Sequence, residues 1–369
     1  MSNTTKIVLS GYYGFDNIGD EAVLYSILFT LRRELKDVEV TVLSNNPSKT
    51  KALYGVNSVN RWNIKEVTKV IKESDMLISG GGSLLQDVTS SKTVPYYLAI
   101  VKIAQLFKKK VVFYSQGIGP VNKGFSRWLI KSVVNKVDGI YVRDEASKKL
   151  LETIGIKKPV GTALDPVLGI EVPTDHTQTE KTVGVYIRPW LDEAHDQNLI
   201  ESMVPGLCYL LDKGYNLCFI PMHYEQDREI AATLAKAVKK ATMEAGKIDK
   251  AELDRRIEVV DKMLSIKEVM VYTSSFDMVI GMRLHSLIMA AASKVPVIAL
   301  SYDPKVTQFM KEMELDCCLN TTELTEENFL AQVQKVEENR ENQIKHLNEV
   351  LARKSERIYL PVNRIKELI

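Results

Sequence analysis

Short apolar runs that end in glycine or a charged residue alternate along this chain with longer stretches of helical spacing. Residues 7–10, Ile-Val-Leu-Ser, have strand length and lead into a glycine-rich loop at 11–21. An amphipathic helical pattern follows from Ala22 to about Leu35. The unit recurs: residues 38–43, 76–79, 111–115 and 140–142 read as further strands. In the second half, residues 182–187, 216–220, 257–260, 276–281 and 297–300 do the same. Most of these runs are predominantly apolar, as buried strands of a parallel sheet should be. Residues 282–293 place Leu284, Leu287, Ile288 and Ala291 three and four apart, and Lys294-Val295-Pro296 breaks the pattern. Strand, helix and strand in that order predict parallel pairs with right-handed crossovers. Residues 231–256 mix alanine and leucine with lysine and acids, which predicts a solvated helix or a pair of them. From about Glu326 onward near-helical spacing returns, with Pro361 expected to interrupt it before a last helix.

A chain of 369 residues is long enough for two such domains. Between Gly161 and Lys181 periodicity fails, and Pro166, Pro173, Thr174, Asp175, Thr177 and Thr179 mark a polar connector. The expected division is therefore 1–170, 181–325 and a helical tail at 326–369, which analogy with other two-domain proteins of this shape expects to cross back to the first domain. Acidic and basic residues number 47 and 49, so no global field announces nucleic acid as a partner. The four cysteines, Cys208, Cys218, Cys317 and Cys318, lack C-x-x-C spacing, which predicts reduced thiols in a cytoplasmic protein. No stretch reaches about 18 uninterrupted apolar residues, so a soluble protein is expected, one that can still work at a membrane surface.

Candidate chemistry gathers where strands end. Open parallel sheets collect ligands outside the carboxyl ends of their strands. Arg283 and His285 fall at the start of the 282–293 helix, where free backbone N–H groups and the helix dipole favour an anion. Lys305 follows the next strand, and Arg143, Arg188 and His223 follow others. Arg143 is either a cleft cation or a surface partner of Asp144 or Glu145. For His223 the alternatives are substrate contact and an ordinary hydrogen-bonded loop residue. In the first half, glycines at 11, 14 and 19 do not make the G-x-G-x-x-G dinucleotide fingerprint, so no nicotinamide site is expected. Asn17 and Asp20 can cap the following helix or bind a polyol. Gly80-Gly81-Gly82-Ser83 closes a strand, which means that a ligand or another backbone packs tightly there. Gln86 and Asp87 beside that glycine floor suit sugar hydroxyls. Neither H-E-x-x-H nor a carboxylate cluster is present, so no metal is expected.

Gly281-Met282-Arg283-Leu284-His285-Ser286 resembles the hallmark of the polysaccharide pyruvyl transferases, which move the pyruvyl group of phosphoenolpyruvate onto a sugar. Ser301-Tyr302-Asp303-Pro304-Lys305 resembles the lysine-bearing loop of that family, and G-x-x-N-x-G-D-E-A from Gly14, V-R-D-x-x-S at Arg143 and the Asp165-Pro166 pair are similar to other recurrent features. The resemblance runs from the Gly14 loop to the Lys305 loop and is nearest to the bacterial CsaB-type enzymes. Those pyruvylate N-acetylmannosamine on a lipid-linked cell-wall polysaccharide precursor whose product anchors S-layer proteins. It implies two facing Rossmann-like domains, similar to two-domain (GT-B) glycosyltransferases, and a cytoplasmic enzyme with peripheral access to the inner membrane surface. By the same resemblance phosphoenolpyruvate is a co-substrate rather than a cofactor, bound by Arg143, Arg283 and Lys305. His285 acts as acid and base, and the acceptor lies along Gly14, Asn17, Asp20, Gly81, Gly82 and Gln86. Because Arg143 precedes the connector and the other cations follow it, the connector should hinge. The alternative reading is a glycosyltransferase of the same architecture that uses a nucleotide sugar.

Overall fold

The computed structural model describes residues 4–170 and 180–369. Pro173, Thr174, Asp175, Thr177 and Thr179 of the expected hinge lie outside the described residues. Met1–Ile170 together with Lys354–Ile369 form one compact unit, and Glu171–Arg353 form a second.

In the first unit, β1 (Thr5–Tyr13) is followed by α1 (Ile18–Glu34), β2 (Val38–Ser44), α2 (Pro47–Tyr54), β3 (Asn57–Asn60) and α3 (Ile64–Glu73). Then come β4 (Met76–Gly80), α4 (Thr93–Leu106), β5 (Lys110–Gln116), α5 (Gly124–Val134), β6 (Gly139–Val142), α6 (Glu145–Ile154) and β7 (Gly161–Thr162). The strands order as β3-β2-β1-β4-β5-β6-β7, all parallel. Helices α3 to α6 bury their apolar faces in one layer against Leu77, Val111, Phe113, Ile140 and Val142 of the sheet. Burying each such side chain contributes about 1.5–3 kcal/mol.

The second unit repeats the plan with β8 (Thr182–Tyr186), α7 (Glu193–Asp212), β9 (Asn216–Phe219), α8 (Tyr224–Glu244), α9 (Lys250–Arg256), β10 (Ile257–Val259) and α10 (Ile266–Ser275). It continues with β11 (Met278–Gly281), α11 (Leu284–Ala292), β12 (Val297–Ser301), α12 (Pro304–Glu312), β13 (Cys318–Asn320), α13 (Glu326–Glu338) and α14 (Arg340–Lys354). Its sheet order is β10-β9-β8-β11-β12-β13, again parallel. Gly206 lets α7 and α13 meet, since a Cβ there would lie 2.6 Å from the Phe329 ring.

The last helix, α15 (Glu356–Leu368), belongs to the first unit, where it packs on β5 and β6. Arg357 donates to the Thr162 carbonyl at 3.1 Å and Arg364 to that of Asp138 at 3.2 Å. Pro361 does not interrupt the helix as expected but lies inside α15. Its missing amide removes a single ladder bond, and burial of Pro361, Val362 and Ile365 offsets that loss. Three short strands, β3, β7 and β13, escaped the sequence reading because two to four residues carry no periodicity.

Strand order reverses between β1 and β4 in the first sheet and between β8 and β11 in the second. At such a point the two loops leave toward opposite faces and open a crevice. The Gly14 loop and the Gly80–Ser83 turn stand at the first crevice, and Arg188 and Arg283 at the second. Within the first, Gly81 has φ +50°, and a Cβ on it would lie 1.8 Å from Cγ1 of Val23 on α1. Gly55, at φ +60°, has nothing within 4 Å. Gly81→Ala should therefore cost about 1–3 kcal/mol, clearly more than Gly55→Ala, which meets backbone strain alone. Equilibrium denaturation of the two variants beside the parent checks the difference.

Candidate functional site

Most of the first unit's candidate residues work inside the protein. Asn17 is the N-cap of α1 and accepts from the Gly19 amide at 3.0 Å. Asp20 lies in the first turn of α1, and its Oδ1 lies against Gly82, where an added Cβ would sit 2.9 Å away. Gly14, at φ +78°, passes so close to Ser44 and Asn46 that a Cβ would overlap both. Its amide donates to Glu21 at 2.8 Å, and the Tyr54 hydroxyl donates to the other Glu21 oxygen at 2.5 Å. Burial raises the Glu21 carboxyl above its usual range against the pull of those two donors. Close packing within the chain thus accounts for the absence of a side chain at 14, 81 and 82. Gln86 has a local role as well: its Oε1 accepts from the amides of Val88 and Thr89, both at 3.0 Å, and its Nε2 donates to Thr89 Oγ1 at 2.8 Å. Buried Asp87 accepts from the amides of Asn122 and Lys123, both at 2.9 Å.

Arg143 stands just past β6 and is nearly buried. It donates to Ser83 Oγ at 3.0 Å and lies 3.6 Å from the Asp144 carboxylate and 3.8 Å from that of Asp165. Its guanidinium covers Gly117, where a Cβ would meet Nη2 at 2.7 Å. Asp165 also caps the turn Pro166–Gly169 by accepting from the Val167 amide at 3.1 Å. This gives the Asp165-Pro166 pair a physical purpose that its sequence does not disclose.

An aromatic cluster at the same rim escaped the sequence reading. Arg61, just past β3, is buried and donates to the Gly11 carbonyl at 2.8 Å and to the Tyr97 hydroxyl at 3.1 Å. Its guanidinium carbon lies 4.6 Å from the Tyr96 ring, 5.1 Å from Trp62 and 5.2 Å from Phe15. Burial pushes the Tyr97 hydroxyl up to about 12, with Arg61 acting in the opposite sense. Tyr12 stacks on Phe15 with centroids 4.1 Å apart, and the Trp62 indole donates to Asn45 at 3.0 Å. Tyr12 and Trp62 are exposed, so the rim carries fixed apolar ring surface with a cation beneath. A signal was present in the aromatics at 12, 13, 15, 62, 96 and 97, but they are scattered over three separate segments: the end of β1 and its loop, the turn after β3, and α4.

In the second unit, Arg283 is the N-cap residue of α11, one position earlier than its expected place in the first turn, and His285 lies within that turn. The guanidinium grips Asp227 of α8 with two donors, Nε to Oδ2 at 3.1 Å and Nη2 to Oδ1 at 2.5 Å. Side-chain exposure is 14% for Arg283 and 0% for Asp227, so this pair is shielded from water. The fork therefore faces inward, and the Nη1 edge makes no hydrogen bond among the described residues. His223, the N-cap of α8, adds its amide to Asp227 at 2.9 Å. Its buried Nδ1 has no hydrogen-bond partner among the described residues.

Lys305 lies 3.2 Å from Asp303 and 6.0 Å from the centre of the Tyr302 ring. Arg188, past β8, covers the same ring at 5.0 Å and donates to its hydroxyl at 3.3 Å. Tyr302 thus brings together two cations from strands that are not neighbours in the sheet. A cleft of about 710 Å³ opens beside it, lined by Ser301, Thr307, Lys311, Cys318 and Asn320 among others. No group of three His, Cys, Asp or Glu suited to a metal occurs among the described residues.

Removing one partner of a shielded ion pair leaves an uncompensated charge, at a cost of about 3–5 kcal/mol, whereas exposed pairs contribute about 0–1 kcal/mol. Asp227→Ala should accordingly destabilise the second unit strongly, and Asp303→Ala, which loses a more exposed pair and the N-cap of α12, by less, about 0.5–2 kcal/mol. Urea denaturation of both variants tests this ranking.

The model of the family described as polysaccharide pyruvyl transferase matches residues 17–304. The amylovoran biosynthesis protein AmsJ of Erwinia amylovora is 21% identical, over 91% of this chain and 93% of that protein. Among solved structures, a putative UDP-N-acetylglucosamine 2-epimerase from Listeria monocytogenes superposes with a TM-score of 0.64 at 13% identity, covering 94% of this chain and 91% of that one. The UDP co-structure of MnaA from S. aureus gives 0.63 at 12%, covering 99% and 98%. Those two likenesses show the fold alone, a pair of Rossmann-like units of the GT-B kind. Matched from the helix cap at Asn17 through the Arg283 and His285 segment to Pro304, this chain belongs to the polysaccharide pyruvyl transferase family.

Proposed function

We propose that this pyruvyl transferase takes phosphoenolpyruvate as donor and an N-acetylmannosamine-type sugar of a lipid-linked cell-wall polysaccharide precursor as acceptor, as CsaB-type enzymes do. The observation that carries the donor assignment is Arg283 held in one plane by Asp227 at a helix start, with His285 two residues on. A guanidinium fixed in this way presents its remaining edge without further loss of side-chain freedom. Lys305 and Arg188 supply the further positive charge that a phosphate beside a carboxylate requires. His285 can protonate C3 of the enol and take the proton of the attacking hydroxyl near neutral pH. C3 thereby becomes a methyl group and C2 gains oxocarbenium character. One sugar hydroxyl adds to C2, the C2–O bond to phosphate breaks, and a second hydroxyl closes the ketal. Of the two hydroxyl protons lost, one balances the proton gained by C3 and the other leaves with phosphate. The exposed faces of Tyr12 and Trp62 offer the apolar surface on which a pyranose ring stacks.

Two predictions test this reading. His285→Ala should lower phosphate release from phosphoenolpyruvate about 10²–10⁴-fold while donor affinity stays within several-fold. A near-normal rate would make the histidine structural, and stabilisation by uridine diphosphate but not by phosphoenolpyruvate in a thermal-shift series would favour the nucleotide-sugar reading. Trp62→Ala should raise KM for a synthetic disaccharide acceptor by about three- to tenfold and leave donor KM unchanged, the magnitude of one lost ring contact. An unchanged acceptor KM would remove Trp62 from the acceptor site.

A further inference from the structure

Residues 88–137 contain nine lysines and arginines and no aspartate or glutamate. At the chain's average acidic content, about six acids would be expected in such a span. This segment builds α4, β5 and α5, whose two helices pack side by side, Gln105 of α4 donating to the Val133 carbonyl of α5 at 2.9 Å. Their inner faces are buried in the core, with Val94, Leu98 and Val101 from one helix and Ile130, Val133 and Val134 from the other. The outer face is exposed at Lys102 and Lys131 and at three large apolar side chains, Leu106, Phe125 and Trp128. Exposure is 70% for Leu106, 63% for Phe125 and 61% for Trp128. Phe125 and Trp128 stack on each other with centroids 5.9 Å apart. They stand in the first turns of α5, at the rim of the unit where strands release their loops. The flanking helices differ, since α3 carries Glu66 and Glu73 and α6 carries Glu145 and Glu152.

We propose that the outer face of α4 and α5 seats the protein on an anionic phospholipid surface, with Phe125 and Trp128 inserted at headgroup level. Amphipathic helices that lie on membranes combine lysine or arginine with tryptophan, phenylalanine and leucine. An acid-free face is complementary to anionic headgroups, and no described helix is long and apolar enough to cross a bilayer, so the contact is peripheral. The stacked ring pair turns two of its four faces inward, which disfavours a row of nucleobases as the occupant. The inference goes beyond the proposed reaction and does not depend on which donor the enzyme uses.

Co-sedimentation of the full chain with vesicles tests it. Binding is expected with about 30 mol% phosphatidylglycerol in phosphatidylcholine, falling steeply with salt, and not with phosphatidylcholine alone. Phe125→Ser with Trp128→Ser should weaken partitioning by about tenfold or more, and Lys131→Glu should lower it about fivefold or more. Leu53→Ser, an exposed apolar change on α2, should leave it unchanged. Circular dichroism of each variant separates lost folding from lost binding. Absence of vesicle binding, binding that ignores lipid charge, or binding that survives the double substitution would overturn the proposal. Tighter, ring-dependent binding of a short single-stranded RNA would also overturn it.

Discussion

Every strand pairing in both sheets is parallel, and the rest of the molecule follows from that constraint. A parallel strand can be reached only by a crossover, so each helix starts at the same rim at which the preceding strand ended. All the loops that carry candidate chemistry are thereby delivered to one edge of each unit. Reversal of strand order beside β1 and β8 then opens the crevice at which they meet. The same plan sets cations at helix starts, Arg283 at that of α11 and Lys305 at that of α12.

Three of the cations at the strand ends of the two units are neutralised before any ligand arrives. Arg283 has Asp227, Lys305 has Asp303, and Arg143 has Asp144 and Asp165. A partly buried cation without such a partner would oppose folding by several kcal/mol, so the pairing lets a cationic pocket exist in a stable protein. Pairing also orients: a guanidinium gripped at Nε and Nη2 has its plane fixed. Arg61 solves the same problem with rings instead of a carboxylate, and so brings aromatic surface to the rim of the first unit.

Similarity in fold to UDP-N-acetylglucosamine 2-epimerases at 12–13% identity extends over nearly the whole chain, yet the chemistry of the family is of another kind. The architecture supplies two crevices at strand ends, and the side chains placed there decide what is bound and what reacts. Residues at loop starts, such as Arg283, His285 and Lys305, can therefore change while the sheets stay as they are.

The sequence by itself determined the architecture. Short, mainly apolar runs followed by helical spacing specify crossover units, because burial of a strand and of one face of a helix leaves those patterns in the chain. It also marked Arg283, His285 and Lys305, since a cation directly after a strand can occupy only the carboxyl rim. Partnership was decided by the tertiary structure. Asp227 lies 56 residues from Arg283, and nothing local in either segment announces their ion pair. The same holds for Asn17 as the cap of α1, for Val23 as the reason Gly81 has no side chain, and for Arg61 among rings drawn from three separate segments. Such contacts depend on which loops the sheet order brings side by side, and one-dimensional periodicity records which face a residue buries, not which distant residue it will meet there.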